Sequence, residues 1–196
     1  MAKLIVSILI SLDGFCAGPG GDLRGLPLDA AFNAHNAERL RSAGTLLFGR
    51  TTFSMFSAFW PTAGDHADPV VREIARLNGA MDKLVVSDTI RLDGAAPWGD
   101  AEVVARRQAH ARIAQVKANT QRDVLVFGSH VLWNDLLAEG LVDELHVLVG
   151  AVVLGSGVRA FGQGSAIPLR LIGERRLAGS DTFLLHYGRG SRVLPQ

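Results

Sequence analysis

The sequence predicts an α/β protein built on a mixed, mainly parallel sheet with helices on both faces and a β-hairpin at its end. Three observations carry this reading. Short apolar, β-branched runs alternate with helical patterns over most of the chain. Those runs lack the polar alternation of a half-exposed strand, as strands covered on both faces do. The last third then changes to two alternating segments around Gly179-Ser180-Asp181, a hairpin signature with a short loop.

Lys3–Ile10 (KLIVSILI) reads as the first strand, and after Ser11-Leu12-Asp13-Gly14 a Gly/Pro-rich loop runs to about Pro27. A helix is predicted from Pro27 to about Ser42, with Phe32, Ala37 and Leu40 facing inward and Pro27 suited to a first turn. Ala43-Gly44 closes it, and Thr45–Phe48 is the second strand. Gly49-Arg50-Thr51-Thr52 opens a short helix carrying Phe53, Phe56 and Phe59, which Pro61 ends. Asp68 or its neighbour caps another helix through Val70, Ile74 and Leu77, stopping near Asn78-Gly79. Lys83–Ser87 is the third strand; a loop with Pro97-Trp98-Gly99 leads to a helix over about Ala105–Ala118. Asp123–Phe127 is the fourth, and it passes through Gly128-Ser129-His130 into a helix with Leu132, Leu136 and Leu137 that Gly140 stops. Asp143–Val149, together with Ala151–Leu154, supplies the fifth strand element, and Leu169–Leu177 with Thr182–Tyr187 the hairpin. No repeat or linker interrupts residues 1–196, so a single domain is expected.

Composition narrows the function classes. At 196 residues, 48% of them apolar, the chain can fill one continuous core. Lys and Arg total 20 against 19 Asp and Glu, a net charge of +1 with no basic tail or charge block, so neither nucleic acid nor a membrane surface is an expected partner. Cys16 is the only cysteine, which removes an intramolecular disulfide and a cysteine-built zinc site and fits a reducing cytoplasm. The apolar stretch Lys3–Ser11 is too short to span a bilayer and has no cleavage-site pattern. His35, His66, His110, His130, His146 and His186 show no HxH or HExxH spacing, so no metal is expected.

Two junctions deliver glycine and hydroxyl residues from a buried strand directly onto a helix start: Phe48-Gly49-Arg50-Thr51-Thr52 and Phe127-Gly128-Ser129-His130. Free N–H groups and the helix dipole make such starts phosphate sites, glycine admits close approach, and Arg50 adds a cationic fork. Each alone also reads as an ordinary turn and cap. Ser87-Asp88-Thr89, ending the third strand, lies where α/β sheets place ligand loops. Gly155-Ser156-Gly157 and Gly162-Gln163-Gly164 do not follow a strand and open a long helix, so they read as a glycine loop and not a dinucleotide fingerprint. Asp13 is placed to orient a substrate amine or a water, or simply to form a turn. Cys16 has no base partner in view. Trp60-Pro61 and Trp98 suit either an aromatic wall for a flat ring or core anchors.

The series SxDG at Ser11–Gly14, LLFGRTTF at Leu46–Phe53, VVSDT at Val85–Thr89, VFGSHVLW at Val126–Trp133, GLVDELHV at Gly140–Val147 and VVLGSGVRAF at Val152–Phe161 resembles a known family in its order and spacing. That family is the reductase domain of bacterial riboflavin biosynthesis, a branch of the dihydrofolate reductase-like superfamily. The resemblance runs from about Lys3 to Tyr187. It implies a three-layer fold with a sheet of about eight strands flanked by helices, NADPH as cofactor, a small heterocyclic, pterin-like or flavin-precursor-like substrate, and a homodimer. By the same resemblance, Gly49, Arg50, Thr51 and Thr52 hold the adenosine-side phosphates, and Ser87 and Asp88 lie near the adenosine ribose. Gly128, Ser129, His130, Val131 and Leu132 wrap the pyrophosphate. Asp13 and Gly14 border the nicotinamide and substrate, and Gly155 and Gly157 lie at the rim. Asp88 is a poor neighbour for a 2′-phosphate dianion, which leaves NADPH against NADH open. The acid that dihydrofolate reductases carry in their first long helix falls near Asn33, which cannot ionise, with Asp29 one turn away. True dihydrofolate reduction is therefore not expected, and Asn33 becomes a hydrogen-bonding partner for substrate. Asp13 is the first candidate for organising a proton relay. Two other classes stay open: a nucleotide-binding or regulatory protein without turnover, and a structural dimer module.

Overall fold

The computed structural model describes residues 2–164 and 166–190, and the statements below hold for these. The elements run β1 (Leu4–Ser11), β2 (Phe15–Ala17), α1 (Ala30–Ser42), β3 (Ala43–Gly49), α2 (Arg50–Phe59), α3 (Pro69–Ala80), β4 (Asp82–Val86) and β5 (Glu102–Val104). They continue with α4 (Ala109–Asn119), β6 (Asp123–Phe127), α5 (His130–Ala138), β7 (Glu144–Gly150), β8 (Val158–Arg159), β9 (Leu169–Arg176) and β10 (Phe183–Arg189). Eight strands form one sheet in the order β5-β4-β3-β6-β1-β7-β10-β9, and β2 pairs with β8 in a separate ribbon. The pairs from β5 through β7 are parallel; β10 runs antiparallel to both β7 and β9.

This is the three-layer, mainly parallel sheet with a terminal hairpin that the sequence predicts. Its centre is β1, whose eight residues are all buried. Alternate side chains of β1 feed two cores, as period-2 geometry requires. Leu4, Val6 and Ile8 pack with Ile113 of α4 and with Trp133 and Leu136 of α5. Ile5 points to the other face and joins Ala37 and Leu40 of α1, Phe48 of β3 and Ile74 of α3. Further along that face Leu9 and Leu148 meet Leu26, with Phe32 of α1 packed against them.

Several boundaries differ from the sequence reading, each for a local reason. α1 starts at Ala30 instead of Pro27, because the Asp29 carboxylate caps it by accepting the Phe32 N–H at 2.8 Å. α4 starts at Ala109 behind a turn of 3₁₀ helix at Arg106–Gln108. Ala151–Leu154 is not a strand: the Val152 N–H turns back to the Gly150 carbonyl at 2.8 Å, ending the ladder. The sheet edge β5 and the β2–β8 ribbon have no counterpart in the sequence reading. They span only two or three residues each, too few for any periodicity to register. Among the described residues no helix is long and apolar enough to cross a membrane.

Candidate active site

β3 and β6 are hydrogen-bonded neighbours in the sheet, so their carboxyl ends deliver the two glycine junctions side by side. The junctions are latched together. The Gly49 N–H donates to the Ser129 hydroxyl oxygen at 3.0 Å, and the Ser129 N–H donates to Thr52 Oγ1 at 2.9 Å. This return bond depends on an unusual backbone, with Gly128 at φ 53° and Ser129 at φ 49°. A Cβ on Gly128 would stand 3.2 Å from both Thr52 Cγ2 and Thr52 Oγ1. The latch takes the Ser129 hydroxyl away from capping its own helix. Neither α2, after Gly49, nor α5, after Ser129, has a side-chain cap. Two helix starts of partial positive charge therefore present first-turn N–H groups side by side.

Both starts open into one cleft of about 1020 Å³, whose lining includes Gly49, Arg50, Thr51, Thr52, Gly128, Ser129, His130, Val131 and Leu132. Arg50 and Arg106 are its two guanidinium groups. The lining also includes the apolar Leu28, Phe32, Met55, Phe56, Phe59 and Trp60 and, from the β2–β8 ribbon, Cys16, Ala17 and Val158. Asn33 reaches this cleft. Asp29 does not substitute for an acid there, since one carboxylate oxygen caps α1 and the other accepts the Ser180 hydroxyl at 2.6 Å.

Other residues singled out in the sequence sit elsewhere. Ser87 and Asp88 are absent from the cleft wall. Ser87 Oγ accepts the Thr89 and Ile90 N–H groups, while Asp88 accepts the Arg106 N–H at 3.0 Å and lies 3.7 Å from its guanidinium. Asp88 thus orients Arg106, which does reach the cleft. Trp98 stacks on Phe48 at 6.2 Å with the Lys83 ammonium 4.8 Å from its ring, making it a core anchor away from the cleft. Gly14, Gly155 and Gly157 also lie off the cleft wall. Gly14 still helps to fix the ribbon, its carbonyl accepting the Ala160 N–H at 3.0 Å.

Asp13 ties loops together. Its two oxygens accept the N–H groups of Leu154 at 3.0 Å and Gly155 at 2.7 Å. A hydrogen bond from Ser11, helped by those backbone donors against partial desolvation, holds its carboxyl down to about 2. A carboxylate so held carries no proton to deliver at neutral pH. Asp13→Ala should accelerate amide exchange at Leu154 and Gly155 by about tenfold, the scale of a lost charge-assisted bond. Unchanged exchange at both amides would remove the loop-tying role. Cys16 has no partner base either: its thiol points at the Val158 carbonyl, 3.5 Å away, and burial pushes its pKa up.

Two polar side chains in the cleft went unnoticed in the sequence. Asn78 of α3 is fully buried, yet neither its amide oxygen nor its nitrogen has a partner, and Asn36 of α1 has an unpartnered oxygen. Both line the cleft beside Asn33. Buried amides normally find partners, so these are donors and acceptors held ready for a ligand or for water. Nothing in the linear pattern separates them from other helical asparagines.

A row of histidines lies between α1 and the sheet, His35 on α1 and His146 and His186 on β7 and β10. His35 lies 3.4 Å from Ser7 Oγ, and its ring centroid is 5.6 Å from that of His146. Burial, assisted by the neighbouring His146 and Arg39, pushes His35 down to about 3; burial with His186 and Arg39 brings His146 to about 4. Both rings are neutral at physiological pH.

A mainly parallel three-layer sheet ending in an antiparallel hairpin, with latched glycine junctions at the carboxyl ends of neighbouring strands, defines a protein of the dihydrofolate reductase-like class. Within that class, the chain belongs to the RibD C-terminal domain family, whose pattern matches residues 2–181. It is similar to the protein YyaP of Bacillus subtilis, at 24% identity over 191 residues and 96% of each chain. Among solved structures it is similar to a putative riboflavin biosynthesis protein from a Shewanella species, with TM-score 0.71, 25% identity and coverage of 97% of this chain and 100% of that one. RibD of Acinetobacter baumannii matches with TM-score 0.68 and 18% identity over 97% of this chain, which spans only 58% of that protein. Dihydrofolate reductase of Enterococcus faecalis, complexed with NADP(H), shares the fold at TM-score 0.61 and 13% identity, covering 96% of this chain and 97% of that one.

Proposed function

We propose that the chain is a single-domain, NADPH-dependent reductase acting on a small electron-poor heterocycle of pterin-like or flavin-precursor-like kind. The observation that carries this is the latched pair of uncapped helix starts at Gly49 and Gly128, facing one cleft. The site fits a dinucleotide on its own terms. Gly128 lets the two junctions close together where a Cβ would crowd Thr52, and the first turns of α2 and α5 offer N–H groups without side-chain caps. In this reading Arg50, Thr51 and Thr52 hold the adenosine-side phosphates, His130, Val131 and Leu132 turn main-chain N–H groups to the pyrophosphate, and Arg106 joins Arg50 as a cationic partner. Asp88 acts on the cofactor through Arg106 instead of facing a phosphate itself.

NADPH supplies the hydride and the hard chemistry when bound. The chain's residues fix distance and orientation and exclude water. Phe32, Phe56, Phe59 and Trp60 give the apolar walls for a flat ring. Asn33, Asn36 and Asn78 supply donors and acceptors for its polar edge, which an apolar analogue would leave unpaired. With Asp13 permanently ionised and occupied by backbone, the proton that accompanies the hydride comes from water. A second copy completes the assembly: β9 is an exposed edge strand, and Leu169 and Leu171 of β9 with Phe183 of β10 are exposed apolar side chains there.

NADPH titration followed by oxidation assays on pterin, flavin-precursor, quinone and imine substrates tests the reading. Absence of saturable NADPH binding at millimolar concentration sinks it. Tight binding without oxidation of any of them favours a regulatory nucleotide binder. Arg50→Ala should weaken NADPH by about tenfold more than NADH if Arg50 meets the 2′-phosphate. Equal losses would remove that assignment.

A further inference from the structure

On the sheet face covered by α1, on strands other than those that carry the glycine junctions, β7 and β10 bring together three side chains with metal-ligand chemistry. His146 and His186 are directly opposed in the antiparallel register, with ring centroids 4.2 Å apart. Glu144 is two residues before His146 on the same face of β7. Its Oε2 lies 2.9 Å from His186 Nε2 and 3.6 Å from His146 Nε2. One ligand atom from each of the three falls within 4.8 Å of the others. In a tetrahedral site with bonds of about 2.1 Å, ligand atoms stand about 3.4 Å apart, so small side-chain adjustments suffice.

Hydrogen bonding leaves this group unresolved at one member. His146 is 3% exposed, and neither of its ring nitrogens has a partner. A buried imidazole with both nitrogens unsatisfied is costly, and a ligand at the nitrogen facing Glu144 would satisfy one of the two. The carboxylate is already oriented for such a role. Lys3 Nζ holds Glu144 Oε1 at 2.5 Å, leaving Oε2 on the histidine side, the outer hydrogen bond that ligating carboxylates commonly carry. Glu144 and His186 are partly exposed, which gives an ion access from solvent. Lys3 and the nearby Arg39 add positive charge that any dication must overcome, while two imidazoles with one carboxylate favour the borderline metals that bind imidazole through strong bonds.

The geometry points to a divalent transition-metal site of the zinc type, built by Glu144, His146 and His186, that clamps β10 of the terminal hairpin onto β7. Linear spacing hides it, because two ligands meet only through strand pairing.

Chelator-stripped protein titrated with Co²⁺ and Zn²⁺ tests the site. The expected result is one equivalent of bound Co²⁺ with visible ligand-field absorption, displaced by Zn²⁺, and a rise in melting temperature with either ion. His186→Ala, whose side chain is partly exposed, should lose the absorption and weaken binding by more than about a hundredfold, beyond the loss typical of an outer-shell change. Glu144→Gln should do the same while keeping size, and far-UV circular dichroism checks that both variants fold. His110→Ala removes a surface histidine paired with Asp135 and should leave binding intact. Absence of saturable binding to the wild type overturns the proposal, as does retention of the bound equivalent in folded His186→Ala and Glu144→Gln.

Discussion

Replacing Gly128 with valine is expected to abolish saturable NADPH binding and to destabilise the fold by roughly 2–3 kcal/mol. Two effects add. Gly128 sits at φ 53°, where an L side chain costs about 1–2 kcal/mol and a β-branched one more. The new Cβ also lies 3.2 Å from Thr52 Cγ2 and Oγ1, tighter than ordinary contact, and the valine methyls beyond it press Thr52 aside. That breaks the bond it accepts from the Ser129 N–H, for about another 1 kcal/mol. The stability loss is survivable for a domain of this size. The functional loss is larger, because the latch is what keeps the first turns of α2 and α5 pointing at the same volume. Urea unfolding measures the first effect and NADPH titration the second. Gly128→Ala should fall between wild type and valine on both scales. A valine variant that binds NADPH as wild type does would show that the cofactor sits elsewhere.

The comparison of Gly49 with Asn78 shows why part of the site was legible in the sequence and part was not. The glycine junctions are contiguous: a buried strand, a glycine, hydroxyls and a helix start follow one another in a few residues, so local chemistry announces them. The latch between them joins Gly49 to Ser129 across 80 residues and depends on β3 lying beside β6. No local pattern encodes that neighbourhood. Asn36 and Asn78 gain meaning only from burial without partners, a property of the packed state. Trp98 suits either a ring wall or a core anchor in the sequence, and the choice between them is made only when the loop folds back and stacks it on Phe48. Asp13 followed the family pattern of position, yet the orientation of its carboxylate toward Leu154 and Gly155 is set by a loop more than a hundred residues later. At the level of fold the same distinction holds. β1, β6 and the β9–β10 hairpin were readable because each carries a run long enough for burial or alternation to show. The short β2, β5 and β8 are strands only because another strand is there to pair with them.

Under the proposed function, the β2–β8 ribbon makes the substrate half of the cleft testable separately from the cofactor half. Gly157 precedes β8 at φ 138°, and a Cβ there would lie 2.1 Å from the Ala17 carbonyl oxygen and 2.8 Å from Gly18 Cα. Both obstacles are backbone, so no side-chain rotation relieves them. Gly157→Ala must therefore push β8 away from β2, lifting Val158 from its place opposite Ala17. Cys16, Ala17 and Val158 all line the cleft, so the displaced ribbon opens one wall to water. The latch at Gly49 and Ser129 belongs to the main sheet and its helices and does not depend on the ribbon. Substrate KM should rise by about tenfold or more, the scale of a roughly 1 Å misplacement in a positioning element, while the NADPH Kd moves by no more than about twofold. Measuring both constants on one preparation separates a local opening from general loosening. If NADPH weakens in step with substrate, the two halves are mechanically one unit, and the ribbon is part of the cofactor site as well.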